Sequence, residues 1–186
     1  MFTGRAESCI RAAKEDFAAA LARYRQCGVE LPTEAHEHTY PTGKSGYYAA
    51  ACWGASRLFA YTGEQAYADI AREFGSLLLA CQETGDAGIG ITGFFYREEE
   101  HRYAVHHNHQ SREHLFMQAL CALAETQPSH KEHPLWDAAI RLYAGYLKDI
   151  YAEAAPYGMI PAGIYHEDEG ENEELFRRTN PGSDYE

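Results

Sequence analysis

Basic residues are scarce in this sequence. Lysine and arginine number 16 against 28 aspartates and glutamates in 186 residues, which gives a formal net charge of -12. An acidic surface is repelled by the phosphates of nucleic acids and by anionic lipid headgroups. We therefore expect neither nucleic acid nor a membrane as a partner, and the chain length favours one main domain.

Long apolar runs are also missing. No stretch approaches the roughly 18 uninterrupted apolar residues that a transmembrane helix requires. The first residues, MFTGRAESCIRAAKED, lack the apolar core of a signal peptide. Together these absences predict a protein of the cytoplasm.

Cysteine is present without a recognisable pattern. The five cysteines form neither a CxxC pair nor a zinc-finger spacing, and they are Cys9, Cys27, Cys52, Cys81 and Cys121. This scatter predicts reduced thiols that pack as small apolar side chains. The glycine-rich stretch 85–93 matches neither GxGxxG nor a P-loop, so we expect no nucleotide and assign no cofactor.

What the sequence does contain is a series of helical patterns. Apolar residues recur at three- and four-residue spacing or fill whole segments, and glycine or proline separates these segments. The patterns predict five helices, at about residues 5–27, 45–61, 64–82, 110–126 and 135–153. The second and fourth are apolar or small on nearly every face, which predicts buried inner helices. The other three helices are amphipathic and should pack around the inner ones with one face exposed to solvent.

The order of these helices predicts stacked helical hairpins. Outer and inner helices alternate along the chain, and each long connection precedes an inner helix. The long loops should therefore gather at one end of the molecule and build one site there. The expected fold is all-α, and a short β-hairpin could form near residues 92–104. Residues 1–166 form the predicted helical domain, and residues 167–186 form an acidic tail or the start of a further hairpin.

The densest polar and aromatic cluster precedes the second inner helix, and it reads HRYAVHHNHQSREH over residues 101–114. The free N–H groups and the positive dipole end of a helix start suit a polar ligand. Imidazole, amide and guanidinium groups can bond sugar hydroxyls while tyrosine stacks on the sugar ring, so we expect a carbohydrate ligand. The predicted binding residues are His38, Tyr40, Lys44, Tyr96, His107, Asn108, His109, Gln110 and Arg112.

Two carboxylates are the catalytic candidates. Glycoside hydrolysis usually needs two of them, about 5–10 Å apart. Glu113 lies at the predicted start of an inner helix and Asp86 lies in the glycine-rich loop, so both could face one cavity. Each also has a structural interpretation, in which Glu113 pairs with Arg112 or His109 and Asp86 only turns the loop. The acidic run Glu98–Glu100 is predicted to be a solvated turn.

Two segments resemble hairpins of a known fold. Residues 46–82 read GYYAAACWGASRLFAYTGEQAYADIAREFGSLLLACQ, and residues 108–125 read NHQSREHLFMQALCALAE. These resemble the hairpins of the (α/α)6 toroid, the six-hairpin glycosidase-like fold. The resemblance implies a carbohydrate-active protein, with a glycoside hydrolase using acid/base carboxylates as the favoured activity. A full toroid needs about 350 residues, so this chain corresponds to about half of one. A homo-oligomer, or a missing second half, would complete the ring.

Two other functions remain open on the same residues. The cluster of His106, His107, His109, Glu113 and His114 could hold a divalent metal and serve a metal-dependent enzyme, although no HExxH signature is present. The chain could also be a non-catalytic helical module for binding or oligomerisation.

Overall fold

The computed structural model describes residues 3–29, 43–85, 92–102, 104–105 and 114–153, and this part of the chain is mainly helical. It contains five α-helices, which confirm the predicted ones to within a few residues. These are α1 (Thr3–Cys27), α2 (Gly43–Thr62), α3 (Gln65–Leu79), α4 (His114–Thr126) and α5 (His133–Glu153). Residues 110–113, which were expected to begin the fourth helix, and the tail at 167–186 lie outside the described residues.

Glycine ends α1 and α2, as the sequence predicts. Gly28 has φ +72° and Gly63 has φ +70°, a left-handed conformation that glycine adopts without a Cβ clash. The N–H of Gly28 donates to the carbonyl of Tyr24 at 2.7 Å, and the N–H of Gly63 donates to that of Phe59 at 2.8 Å. Both glycines therefore stop a helix and turn the chain.

Helix α2 lies at the centre of the packing. It contacts α1, α3 and α4, and α4 in turn contacts α5. Small residues let the helices approach closely: a Cβ at Gly75 of α3 would lie 2.5 Å from the Leu123 side chain of α4. The largest fully buried side chains around α2 and α4 are Trp136, Tyr96, Tyr146, Phe74, Phe94, Phe95 and Phe116. One aromatic-rich core thus joins the helices to the segment that precedes α4.

One face of α2 is not interior, which corrects the expectation for this helix. Trp53 is 42% exposed, and Arg57 and Tyr61 are also exposed. These residues recur at four-residue spacing and so share one face. Apolar composition predicted burial all round, but α1 covers only part of this side of α2. Leu120 of α4, by contrast, is fully buried as expected.

The segment 92–105 adds a minimal β-like pairing. Tyr96 and Ala104 form an antiparallel bridge, and the N–H of Val105 donates to the carbonyl of Phe95 at 2.8 Å. Phe95 also bridges Gln82, the residue that follows the end of α3 by three positions. The pairing encloses Glu98–Glu100 as predicted, but only isolated bridges form among the described residues, not a sheet.

The buried amide of Gln82 fixes this segment against α5. Its Nε2 donates to the carbonyls of Gly93 and Ala139, both at 3.0 Å.

None of the five described helices is both long enough and apolar enough to span a bilayer.

Candidate functional site

The first turn of α2 meets the turn at residues 97–100. Ser45 lies inside the first turn of this helix and is buried. Its backbone N–H donates to the carbonyl of Arg97 at 3.0 Å. The first N–H groups of a helix have no acceptor within the helix. Here the carbonyl of Arg97 is the acceptor for one of them. The end of the first long connection therefore lies against residues 97–100 of the second.

Glu99 is the centre of the polar contacts at this junction. Its Oε1 accepts a hydrogen bond from the hydroxyl of Tyr48 at 2.6 Å. Its Oε2 lies 3.3 Å from Nζ of Lys44, which is also 3.5 Å from the carboxylate of Glu100. Lys44 and Tyr48 are four residues apart on α2, so one helix face presents both donors to one carboxylate.

These contacts determine the charge of Glu99. Partial burial is the largest influence and raises the pKa of the carboxyl group. The hydrogen bonds from Tyr48, from the Glu99 backbone and from Lys44 together outweigh burial and hold its pKa below the ordinary value. For Lys44, burial lowers the pKa, but the two carboxylates outweigh it and leave the pKa raised. The site therefore contains a stabilised pair of opposite charges.

Cys81 lies near the same carboxylates. Burial, with the Glu99 charge as the next contribution, raises the pKa of its thiol to about 12. A thiol is nucleophilic only when it ionises, so Cys81 is a packing residue of this site.

A second carboxylate, Glu83, has its own partners. The hydroxyl of Tyr96 donates to its Oε2 at 2.8 Å, and Nδ1 of His101 lies 3.9 Å from the same oxygen. The imidazole of His101 stacks on the ring of Tyr96, with centroids 4.3 Å apart and planes inclined by 16°. Nε2 of His101 donates to the carbonyl of Ala80 at 2.8 Å, because a carbonyl can only accept. Nδ1, facing Glu83, is therefore the remaining proton-accepting atom of this ring.

His101 is held in an uncommon backbone conformation. Its φ of +56° is the only positive value of a non-glycine residue within the described part of the chain. Such conformations cost about 1–3 kcal/mol and are found in turns and at functional sites. Here the conformation brings the imidazole over Tyr96 and beside Glu83.

Only two of the predicted binding residues lie in the described ranges. Lys44 takes part in the Glu99 contacts. Tyr96 is fully buried, and its ring packs against the imidazole of His101 and holds it in place. The remaining predicted residues lie outside the described residues, and they are His38, Tyr40, Asp86, His107, Asn108, His109, Gln110, Arg112 and Glu113.

Sequence reasoning missed Glu83, Glu99 and His101 as site residues. The sequence predicts a solvated turn at Glu98–Glu100, but Glu99 is partly buried and bonded to α2. One sequence signal could have identified Glu99: only Arg97 separates the acidic run from the apolar run 94–96, so these carboxylates start close to the core. Glu98 is also partly buried, with a side chain that is 18% exposed, but its carboxylate accepts from the exposed Arg102 at 3.2 Å and not from α2.

The proposed metal ligands are mostly outside the described ranges. Of the histidine cluster only His114 is described, and it is exposed at the start of α4. Within the part of the chain that the structure describes, no three histidine, cysteine or carboxylate side chains are grouped closely enough to hold a metal ion.

The charge of Glu99 gives a prediction for acid stability. Because its pKa is lowered on folding from the ordinary 4.5, its contribution to stability is complete above pH 4.5 and is lost as pH falls through the folded value. Glu99→Gln should therefore make the free energy of unfolding less sensitive to acid. Urea unfolding at a series of pH values, followed by circular dichroism, measures this.

Glu98→Gln is the matched control for that experiment, since it removes the adjacent carboxylate and leaves the α2 contacts in place. Its acid dependence should stay close to that of the wild type. If Glu99→Gln and the wild type lose stability in parallel through the acid range, the assigned charge of Glu99 is wrong.

Comparison with known proteins gives no relative from which to assign these residues. Neither protein-family models, nor curated proteins, nor solved structures yield a significant match to this chain.

Proposed function

We propose that this chain is a carbohydrate-active protein of the six-hairpin type, with its sugar site where α2 begins. The observation that carries the proposal is the Glu99 carboxylate, which Tyr48 and Lys44 hold in one orientation and in its charged form. Sugar hydroxyls are bonded well by fixed carboxylates and ammonium groups, whose directionality gives specificity.

The accessible surface of these groups supports the proposal. The side chains of Glu99, Lys44 and His101 are 29%, 35% and 36% exposed. Each is therefore fixed by internal contacts and still has atoms open to a ligand. His101 packs one ring face on Tyr96, and its exposed surface can contact the apolar side of a sugar ring.

The reaction that fits these groups is acid/base cleavage of a glycosidic bond. A carboxylate kept ionised suits the base, or the group that stabilises positive charge on the sugar. We assign that role to Glu99. The proton donor would come from Glu83, beside His101, or from the sequence candidates Asp86 and Glu113. A half-toroid would receive further site residues from whatever completes the ring.

One observation favours a second candidate, a non-catalytic helical module. Within the described part of α1, no side chain from Arg5 to Cys27 is buried. A two-faced helix with its apolar side incompletely covered is typical of a surface that associates with another. Binding without cleavage would support this candidate.

The test uses calorimetry and a product assay with neutral, amino-sugar and uronate oligosaccharides. We expect one class to bind, and Glu99→Gln to weaken binding by about tenfold or more, because a charged hydrogen bond contributes about 1.5–3 kcal/mol. Glu98→Gln, the neighbouring control, should bind as the wild type does. Failure of every class to bind or to be cleaved would exclude the carbohydrate function.

A further inference from the structure

The α1–α2 contact leaves an open apolar groove. It has a volume of about 510 Å³ and is lined mainly by apolar side chains of both helices, among them Ala6, Cys9, Ile10, Trp53 and Tyr61. Trp53 and Tyr61 are two of the three large hydrophobic side chains exposed among the described residues. Exposed aromatic side chains beside an uncovered helix mark a surface that binds a partner.

The charges of α1 indicate which partner fits. Arg5 and Asp16 are both exposed and have no ionic partner within the described residues. Arg5, Cys9, Ala12 and Asp16 follow one another at spacings of four, three and four residues, so they share a face beside the groove. Over residues 5–16 that face is basic at its N-terminal end and acidic at its C-terminal end, and Arg23 lies on the same face beyond this segment.

We propose that this surface binds a second copy of the chain, with the two α1 helices antiparallel about a two-fold axis. A two-fold contact pairs the same surface with itself, so a face with opposite charges at its two ends is self-complementary. Arg5 then lies opposite the partner's Asp16, and Asp16 lies opposite the partner's Arg5. The partner helix covers Trp53 and fills the groove. This inference is independent of the proposed carbohydrate function.

The same arrangement fixes which residues meet at the axis. In an antiparallel pair, the alignment that places Arg5 opposite the partner's Asp16 also places Cys9 opposite the partner's Ala12. Both positions are exposed in the described chain. Their small side chains allow the close approach of the two helices that a disulfide requires.

The first test is the mass of the full chain in solution, measured by light scattering. We expect twice the mass of one chain for the wild type, and the mass of one chain for Trp53→Ser. Leu135→Ser is the control, since Leu135 is another exposed large apolar residue, lies on α5 away from the groove and is 61% exposed, and this variant should stay dimeric. A wild-type chain that is monomeric at every concentration overturns the proposal.

Charge exchange tests the orientation. Arg5→Asp and Asp16→Arg should each shift the equilibrium towards monomer. The double variant should recover the dimer, because the two-fold axis again pairs opposite charges. A dimer that neither Trp53→Ser nor either charge variant weakens would place the interface elsewhere and overturn the proposal.

A crosslink gives an answer that does not depend on affinity. Under oxidation, Ala12→Cys should form a disulfide dimer with the partner's Cys9, and the crosslink should be lost when Cys9→Ser is added. Ala18→Cys, on another face of α1, is the control and should not crosslink. Equal crosslinking of the two variants would contradict the antiparallel pairing.

Discussion

Replacing Gly93 by alanine should destabilise the fold by on the order of 3–5 kcal/mol. Gly93 is buried and has φ +96°. A Cβ there would lie 2.4 Å from the carbonyl oxygen of Leu142 in α5 and 2.8 Å from its carbonyl carbon. Backbone strain and overlap with another backbone therefore act together. A flexible side chain could move aside, whereas a helix carbonyl cannot.

The substitution also disturbs the hydrogen bonds that hold this segment. The N–H of Gly93 donates to the carbonyl of Glu83 at 2.8 Å, and its carbonyl accepts from Gln82. Movement of Gly93 away from α5 would weaken both bonds, and Gln82 also bonds Ala139 of α5. We therefore expect the loss to be global, seen as a lower urea midpoint in a single cooperative transition.

Gly63→Ala is the control for this prediction. Gly63 has a similar left-handed φ of +70°, but nothing lies within 4 Å of its Cβ position. Only the cost of placing alanine in a left-handed backbone conformation remains, which is about 1–2 kcal/mol. If the two variants lose equal stability, the contact between Gly93 and Leu142 is not as close as the structure places it.

The helices could be predicted because each depends on residues close in sequence. Periodic apolar residues and the glycines at 28 and 63 determine where α1 and α2 run and where they end. The exposure of Trp53 could not be predicted in this way. It depends on how much of α2 is covered by α1, and that is decided by side-chain packing between two helices and not by the composition of either.

The sequence predicts that the long connections lie close together, but it does not predict which residues make the contact between the start of α2 and residues 97–100. Each long connection precedes an inner helix, so the sequence predicts that these connections meet. The start of α2 does contact residues 97–100. The role of Glu99 depends on Tyr48 and Lys44, which are far away in sequence and become neighbours only after the helices pack. Three consecutive glutamates are typical of solvated turns, and two of them, Glu98 and Glu100, lack the buried partner that distinguishes Glu99.

Gly43→Ala should damage the fold and the candidate site together. Gly43 is the first residue of α2 and has φ +67°. A Cβ there would lie 2.5 Å from the carbonyl oxygen of Arg97 and 2.6 Å from its Cβ. That same carbonyl accepts the N–H of Ser45. Alanine must therefore separate the start of α2 from the 97–100 turn, at a cost of roughly 3 kcal/mol or more.

Gly28→Ala is the control for the cost of a left-handed alanine, because Gly28 has φ +72° and no atom lies within 4 Å of its Cβ position. It should lose about 1–2 kcal/mol and keep the acid dependence of the wild type. Gly43→Ala should lose more stability than Gly28→Ala. It should also lose the acid dependence assigned to Glu99, because moving the 97–100 turn away from α2 breaks the contacts of Glu99 with Tyr48 and Lys44.

Combining Gly43→Ala with Glu99→Gln tests whether the two effects share one cause. If the alanine acts by breaking the Glu99 contacts, the double variant should be less destabilised than the sum of the single variants, since each contact can be lost only once. Simple additivity would mean that the start of α2 and the Glu99 carboxylate are independent. The turn at residues 97–100 could then not position a ligand-binding group through its contact with α2.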